Sequence, residues 1–238
     1  MSFSTDVRGA FRRGETDAVV AMSEAEIARA RAAGDLAGEV EARYSLARVA
    51  IRHGDLAGGE ARAREALEVA LRSGDRALEE RPRHVLAGVA RMSGDYVRAR
   101  ELYRESIALN EALGRTEAVD WERHNLAFCE LKLGNLAAAR YLFAGIRERI
   151  FAAGWSDFVP YACVAGAALA SAEGDHARAA LLVGVTDAAF AAIGQVPDPD
   201  DAADLADIRS AAIGALGQTT FDEAYAQGRL LDPRTALA

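Results

Sequence analysis

Lysine is almost missing from this chain: Lys132 is the sole lysine, and every other fixed cation is arginine. Aromatic residues make up 7% of its 238 residues, with five prolines and two cysteines. Each shortage excludes something. Cys129 and Cys163 stand alone, with no CxxC pair and no Cys/His cluster, so a disulfide scaffold and a zinc ribbon are excluded. Two reduced thiols inside helices are expected instead. The most apolar stretch, Ala162 to Ala172, is too short and too rich in Gly and Ala to cross a bilayer. The first residues, Met1-Ser2-Phe3-Ser4-Thr5-Asp6, carry no apolar targeting segment, which points to a cytoplasmic chain. A net charge of −8 sets the surface against phosphate backbones, so direct binding to nucleic acid or to a membrane is not expected. There is no GxxxxGK[ST] loop, no HExxH and no Ser/His/Asp spacing. No catalytic residue, cofactor or metal is therefore assigned, and the chain reads as non-enzymatic.

What is present is a period. Gly14, Gly34, Gly54, Gly74, Gly94, Gly114, Gly134, Gly154, Gly174 and Gly194 stand 20 residues apart. A fixed spacing on this scale marks a stacked repeat array. Five of these glycines precede an Asp: Asp35, Asp55, Asp75, Asp95 and Asp175. Glycine just past a helix end supplies the left-handed residue, and the Asp caps the next helix. Each 20-residue step thus reads as one helix and its turn, and two steps make a 40-residue unit. Folding the sequence at 40 aligns Leu46, Leu86 and Leu126, then Ala47, Ala87, Ala127 and Ala167. In the second helix Ala99, Ala139 and Ala179 align, followed four residues later by Tyr103, Phe143 and Val183. A small residue and then a large one on the same face is the pattern of helices packed closely.

The best unit, Arg83-x2-Leu86-Ala87-x2-Ala90-x3-Gly94-Asp95-Tyr96-x2-Ala99-x3-Tyr103, resembles the tetratricopeptide repeat (TPR) family. The likeness runs over roughly residues 1–194 in five units. Two departures stand out. Arg43, Arg83, Arg123 and Cys163 occupy the usual Trp position, and the Pro that ends the second helix is replaced by Leu71, Glu111, Phe151 and Ala191. Without that stop the helices run longer, which accounts for 40 residues rather than 34. The resemblance implies an all-α, right-handed superhelical solenoid of antiparallel helix pairs, about five repeats plus C-terminal capping helices. Residues 1–194 form the array, and 195–238 are a loop and capping helices of the same domain. Pro82 should delay its helix to near Glu80–Arg81, and Pro160 fits a helix starting near Ser156 or Asp157. Gly166 stands where a Leu is expected, so the fifth unit should pack differently. After a loop from Gln195 to Asp201, helices are expected from about Asp201 to Leu216, from Thr220 to Gly228, and from Pro233.

The C-terminal part carries a second resemblance. Ala179-x-Leu181-Leu182-x-Gly184, Phe190-x2-Ile193-Gly194, Leu216-Gly217-x3-Phe221, Gly228 and Leu230 are similar to the repeat-bearing end of large actinobacterial ATP-dependent transcriptional regulators. Those proteins place an NTPase module and a DNA-binding domain ahead of such repeats. This sequence shows neither, so the likeness implies a sensor or effector-binding portion, in a bacterial protein whose arginine usage suits a GC-rich genome.

In the TPR family the concave groove is lined by first-helix side chains. Carried onto this sequence, the rows are Glu41, Arg81, Trp121 and Tyr161; Tyr44, His84, His124 and Val164; Arg48, Gly88, Phe128 and Ala168; and Ile51, Arg91 and Leu131 with Lys132 beside it. The candidate ligand-binding residues are Tyr44, Arg48, Arg81, His84, Arg91, Trp121, His124, Phe128, Lys132 and Tyr161. Aromatic rings and Arg forks are the usual anchors of a binding surface. A protein or peptide partner is expected there, and a small anionic ligand suits the same cations. The ends of a short array would also serve a homodimer. The alternative reading is a small-molecule-sensing regulator domain detached from an NTPase and DNA-binding activator. The Arg43, Arg83, Arg123 ladder is expected to pair within its helices, with Glu39, Glu79 and Asp120. His84 and His124 sit on consecutive units, a gap that is large for one metal ion, and no Cys or third His lies in register with them.

Overall fold

A computed structural model of the chain describes residues 2–238, and among them the regular structure is entirely helical. The helices are α1 (Phe3–Arg12), α2 (Thr16–Ala33), α3 (Leu36–Arg52), α4 (Leu56–Ser73), α5 (Glu80–Met92), α6 (Tyr96–Ala112), α7 (Thr116–Lys132), α8 (Leu136–Ala153), α9 (Val159–Ala172), α10 (His176–Ala192), α11 (Pro199–Leu216), α12 (Gln218–Gly228) and α13 (Pro233–Ala236). This is an all-α fold of sequentially packed helix pairs, of the helical-solenoid kind. No helix of the described residues is long and apolar enough to cross a membrane.

The helices end where they do because of backbone sterics. All ten glycines of the 20-residue period have positive φ, from 62° at Gly194 to 81° at Gly94. That conformation costs an L-residue with a Cβ about 1–2 kcal/mol. At Gly54 the glycine amide donates to the Ile51 carbonyl (2.9 Å) and the Asp55 amide to the Ala50 carbonyl (2.9 Å). The same pair of bonds recurs at Gly94 and Gly174, satisfying carbonyls that the helix end would orphan. The aspartate that follows then caps the next helix. Asp35, Asp55, Asp95 and Asp175 accept from the amides of Gly38, Gly58, Arg98 and Arg178 at 2.8–3.1 Å. Asn135 stands in the same place and makes no side-chain cap.

The chain forms two compact units, residues 1–126 and 127–238, which divide within α7. In the first, α2 packs on α3, α3 on α4, α4 on α5 and α5 on α6, and the two first helices α3 and α5 also touch. In the second, α8 packs on α9 and α9 on α10, while α11 lies on both α9 and α10. The alanines read as points of close approach are sealed: Ala47, Ala87, Ala127 and Ala167 are all fully buried, as are Ala99, Ala139 and Ala179. Tyr103 and Val183 beside them are fully buried and Phe143 nearly so.

Proline sets two starts. A 3-10 turn at Arg76–Leu78 precedes α5, which begins at Glu80 as the position of Pro82 predicts. Before Pro160, Ser156–Phe158 is also a 3-10 turn and the α-helix begins only at Val159, later than the expected Ser156 or Asp157. The reason is hydrogen bonding: an α-helix begun at Ser156 would need an amide proton that Pro160 lacks. In the C-terminal part α11 begins at Pro199, two residues earlier than expected, with proline in its first turn.

Gly166 is a seat for the chain's end. A Cβ there would lie 2.6 Å from Leu237, whose side chain is buried, and Arg147 donates to the Leu237 carbonyl (2.5 Å). The crossing of α10 and α12 is closer still. A Cβ at Gly184 would lie 2.1 Å from the Tyr225 carbonyl oxygen, and one at Gly228 would lie 1.9 Å from that of Leu181. Both are backbone contacts that cannot yield by a rotamer change. Gly184→Ala and Gly228→Ala are therefore expected to cost about 2–3 kcal/mol each. Gly214→Ala, on a helix where a Cβ meets nothing within 4 Å, should be neutral or stabilising. Urea unfolding of the three variants checks this; equal midpoints would contradict it.

Candidate functional site

In the first unit, α3, α5 and the start of α7 bring together half-buried side chains from one face. Tyr44 on α3 lies between two guanidinium groups, Arg48 at 5.6 Å and Arg81 at 5.4 Å from the ring centre. Arg81 also pairs with Glu41, which accepts a hydrogen bond from Ser4 (3.2 Å). Arg48 and Arg52 both lie over the buried ring of Phe11, at 3.7 and 4.1 Å. Trp121 is half-buried on α7, with its ring edge-on to His124 at 6.0 Å.

Below this face lies a polar group inside the unit. His84 Nδ1 is 3.1 Å from Glu122 Oε1, and the same oxygen accepts a hydrogen bond from Ser106 (2.8 Å). Glu122 is 1% exposed and Ser106 fully buried, whereas the His84 side chain remains 34% exposed. His84 meets the buried Tyr103 ring edge-on at 6.4 Å. The unit also holds a cavity of about 590 Å³. Its charged lining consists of Glu26, Arg29, Asp35, Glu41, Glu80, Arg81 and Arg115. Arg29 is 2.5 Å from both Glu26 and Asp35. Glu80 has Arg115 at 3.6 Å. Burial is the largest influence on the Glu80 carboxyl and raises its pKa. The charge of Glu122 adds to that rise, while His84, Arg81 and Arg115 oppose it.

Five of the ten sequence candidates, Tyr44, Arg48, Arg81, His84 and Trp121, are thus half-buried first-helix residues of the first unit. Two others in that unit are interior. Arg91 is 4% exposed and donates to Asn125 (2.8 Å), and His124 is 2% exposed. In the second unit Phe128 is fully buried against Phe143, ring centres 5.0 Å apart. Tyr161 is 4% exposed and lies edge-on to Phe190 at 5.2 Å. Lys132 reaches Asp204 at 3.1 Å and Asp207 at 3.6 Å, both on α11. Four of the ten, Arg91, His124, Phe128 and Tyr161, are therefore packing residues, and the exposed candidates concentrate in the first unit. The arginine ladder pairs as expected, Arg43 with Glu39 (2.9 Å) and Arg83 with Glu79 (2.8 Å). Arg123 is nearer to Glu111 of the preceding helix (2.9 Å) than to Asp120 (3.8 Å).

Glu80, Ser106 and Glu122 were not among the sequence candidates. Their signal lies in the repeat itself. The position of Glu122 is Ala42, Pro82 and Ala162 in the other units, and that of Ser106 is Ala66, Ile146 and Thr186. No group of three or more His, Cys, Asp or Glu among the described residues is arranged to hold a metal ion. Cys129 and Cys163 are buried thiols, the latter pushed by burial up to about 12, well away from a reactive thiolate.

The geometry defines an all-helical array with a charged and aromatic face on its N-terminal unit. No family model and no curated protein matches the chain. Among solved structures it is similar to BtubC (BKLC) from P. vanneervenii, with a TM-score of 0.60 and 19% identity over 93% of this chain and 91% of that one. A likeness at that identity concerns the fold alone.

The Glu80 carboxyl sets a pH test. A group whose pKa is raised on folding favours the folded state below its unfolded pKa, and that contribution is lost as the pH rises through the folded value. At neutral pH the charged Glu80 therefore opposes folding. Glu80→Gln is expected to raise the melting temperature near pH 7, and the gain should shrink as the pH falls through the raised pKa of the carboxyl. Calorimetric melting of both proteins across pH checks this; a lower melting temperature for the variant at neutral pH would contradict it.

Proposed function

We propose that this chain is a non-enzymatic, TPR-type interaction module that binds a protein or peptide partner through the first-helix face of its N-terminal unit. One observation carries the reading. Tyr44, Arg81, His84 and Trp121 recur at 40-residue steps or one helical turn away, and none of them is buried. Large rings with few rotatable bonds, flanked by guanidinium forks, fit the anchoring groups of protein interfaces. The likeness of the C-terminal part to bacterial regulators supports a regulatory role in the cytoplasm. A second reading, a sensor for a small molecule, is favoured by the cavity of about 590 Å³, a size in the range of ligand sites.

The test is selection from a displayed peptide library, followed by titration of the selected peptide against wild type and a Tyr44→Ala/Arg81→Ala/Trp121→Ala variant. Substituting His124 or Phe128 would instead open holes in the core. The variant should keep its helical circular dichroism, melt lower because Tyr44 packs against the core and Arg81 pairs with Glu41, and at a temperature where both proteins are folded bind at least about tenfold more weakly. Undiminished binding would move the site off this face.

A further inference from the structure

We propose that the cavity of the first unit receives a cationic nitrogen group, a guanidinium or primary ammonium, against Glu80 with Glu122 behind it. The inference deepens the interaction reading and rests on the first unit being a binding face. It starts from how the cavity's charges are matched. Each other carboxylate on the lining accepts a hydrogen bond from an arginine: Glu41 from Arg81, and Glu26 and Asp35 from Arg29. Glu80 is the exception. Its side chain is 19% exposed, and Arg115 stands off at 3.6 Å. Arg115 is itself 40% exposed and hydrogen-bonded to the Ala77 carbonyl, so it can be displaced by an incoming cation.

The second observation is independent of the lining. Glu122 is 1% exposed, and its Oε1 takes both Ser106 and His84 while its buried Oε2 has no hydrogen-bond partner. Burying a carboxylate costs several kcal/mol unless a charge or hydrogen bond offsets it. The other units fill this position with Ala42, Pro82 and Ala162, so the packing of the repeat does not need an acid there. Its charge is felt at Glu80, where it adds to the effect of burial on the carboxyl. A carboxylate on the wall of a cavity of about 590 Å³, held only by a long ion pair and with the charge of Glu122 acting on it from outside the lining, favours a cation and disfavours an anionic ligand. With no metal-holding group of three ligands among the described residues, an organic cation that donates hydrogen bonds is the chemistry that fits.

Calorimetric titration of the full chain with Nα-acetyl-argininamide, its neutral isostere Nα-acetyl-citrullinamide, and spermidine tests the assignment. Saturable binding of the arginine compound is expected, with the citrulline compound at least about tenfold weaker. Glu80→Gln should lose about tenfold or more in affinity while melting no lower than wild type, and Glu122→Gln should weaken binding in the same direction. Tighter binding of an arginine-containing peptide than of spermidine would identify a partner's side chain as the source. The reverse order would identify a free polyamine, and both orders place the cation at Glu80. Equal affinity of Glu80→Gln and wild type, equal affinity for the citrulline compound, or no saturable binding up to about 10 mM would overturn the proposal. The two readings fail separately. A selected peptide lost with Tyr44, Arg81 and Trp121, but no cation binding, retains the interaction face and removes the cation site. Cation binding without any selected peptide does the opposite.

Discussion

Each helix of the repeat is stopped by a backbone conformation that glycine adopts without strain and other residues do not. With φ between 62° and 81° at ten positions 20 residues apart, helix length is fixed in advance of any packing. The constant 20-residue spacing keeps successive helix ends in step, and the step lets Ala47, Ala87, Ala127 and Ala167 all fall at buried positions. Small side chains at those positions let backbones approach closely, which a core with few aromatic rings requires. The aspartates that follow the glycines add capping bonds at the next helix start. Turn, cap and core are thus one device repeated, and local and long-range preferences agree.

Regularity makes the exceptions informative. Where the other repeats carry Ala42, Pro82 and Ala162, the first unit carries Glu122, joined to Ser106 through one carboxylate oxygen and reaching half-exposed His84. The second unit is filled differently. Its first-helix segment is covered by α11, which packs on α9 and brings Asp204 and Asp207 to Lys132. Helix α13 also packs on α9, and Leu237 fills the space above Gly166. The close crossing at Gly184 and Gly228 binds α12 to α10. In the first unit, by contrast, Tyr44, Arg81, His84 and Trp121 on α3, α5 and the start of α7 stay half-buried.

The fold was legible because it is written as a period: the glycines, the capping aspartates, the alanine rows and the delayed start before Pro82 each have a local physical cause. The 3-10 turn before Pro160 was partly hidden, since it depends on which amide the proline removes. The site was less legible. Transferring one set of row positions to every unit treats all first helices as equally open. Tyr161 is instead enclosed because α9 is covered from several sides, and Phe128 pairs with Phe143 in the core. Arg91 and His124 are enclosed within the first unit. Nothing local to those residues tells a ring that faces solvent from one that fills a gap; the covering element decides. Glu80 and Glu122 were missed for the opposite reason, because acids on helices usually mark solvated faces.

Hydrogen-exchange mass spectrometry of the whole chain, with and without a selected peptide at saturation, tests the location of the binding face most directly. The account predicts that slowed exchange concentrates in α3, α5 and the first half of α7, with α4, α6 and the C-terminal helices unchanged. Protection confined to α4 and α6, or to α11–α13, would contradict it.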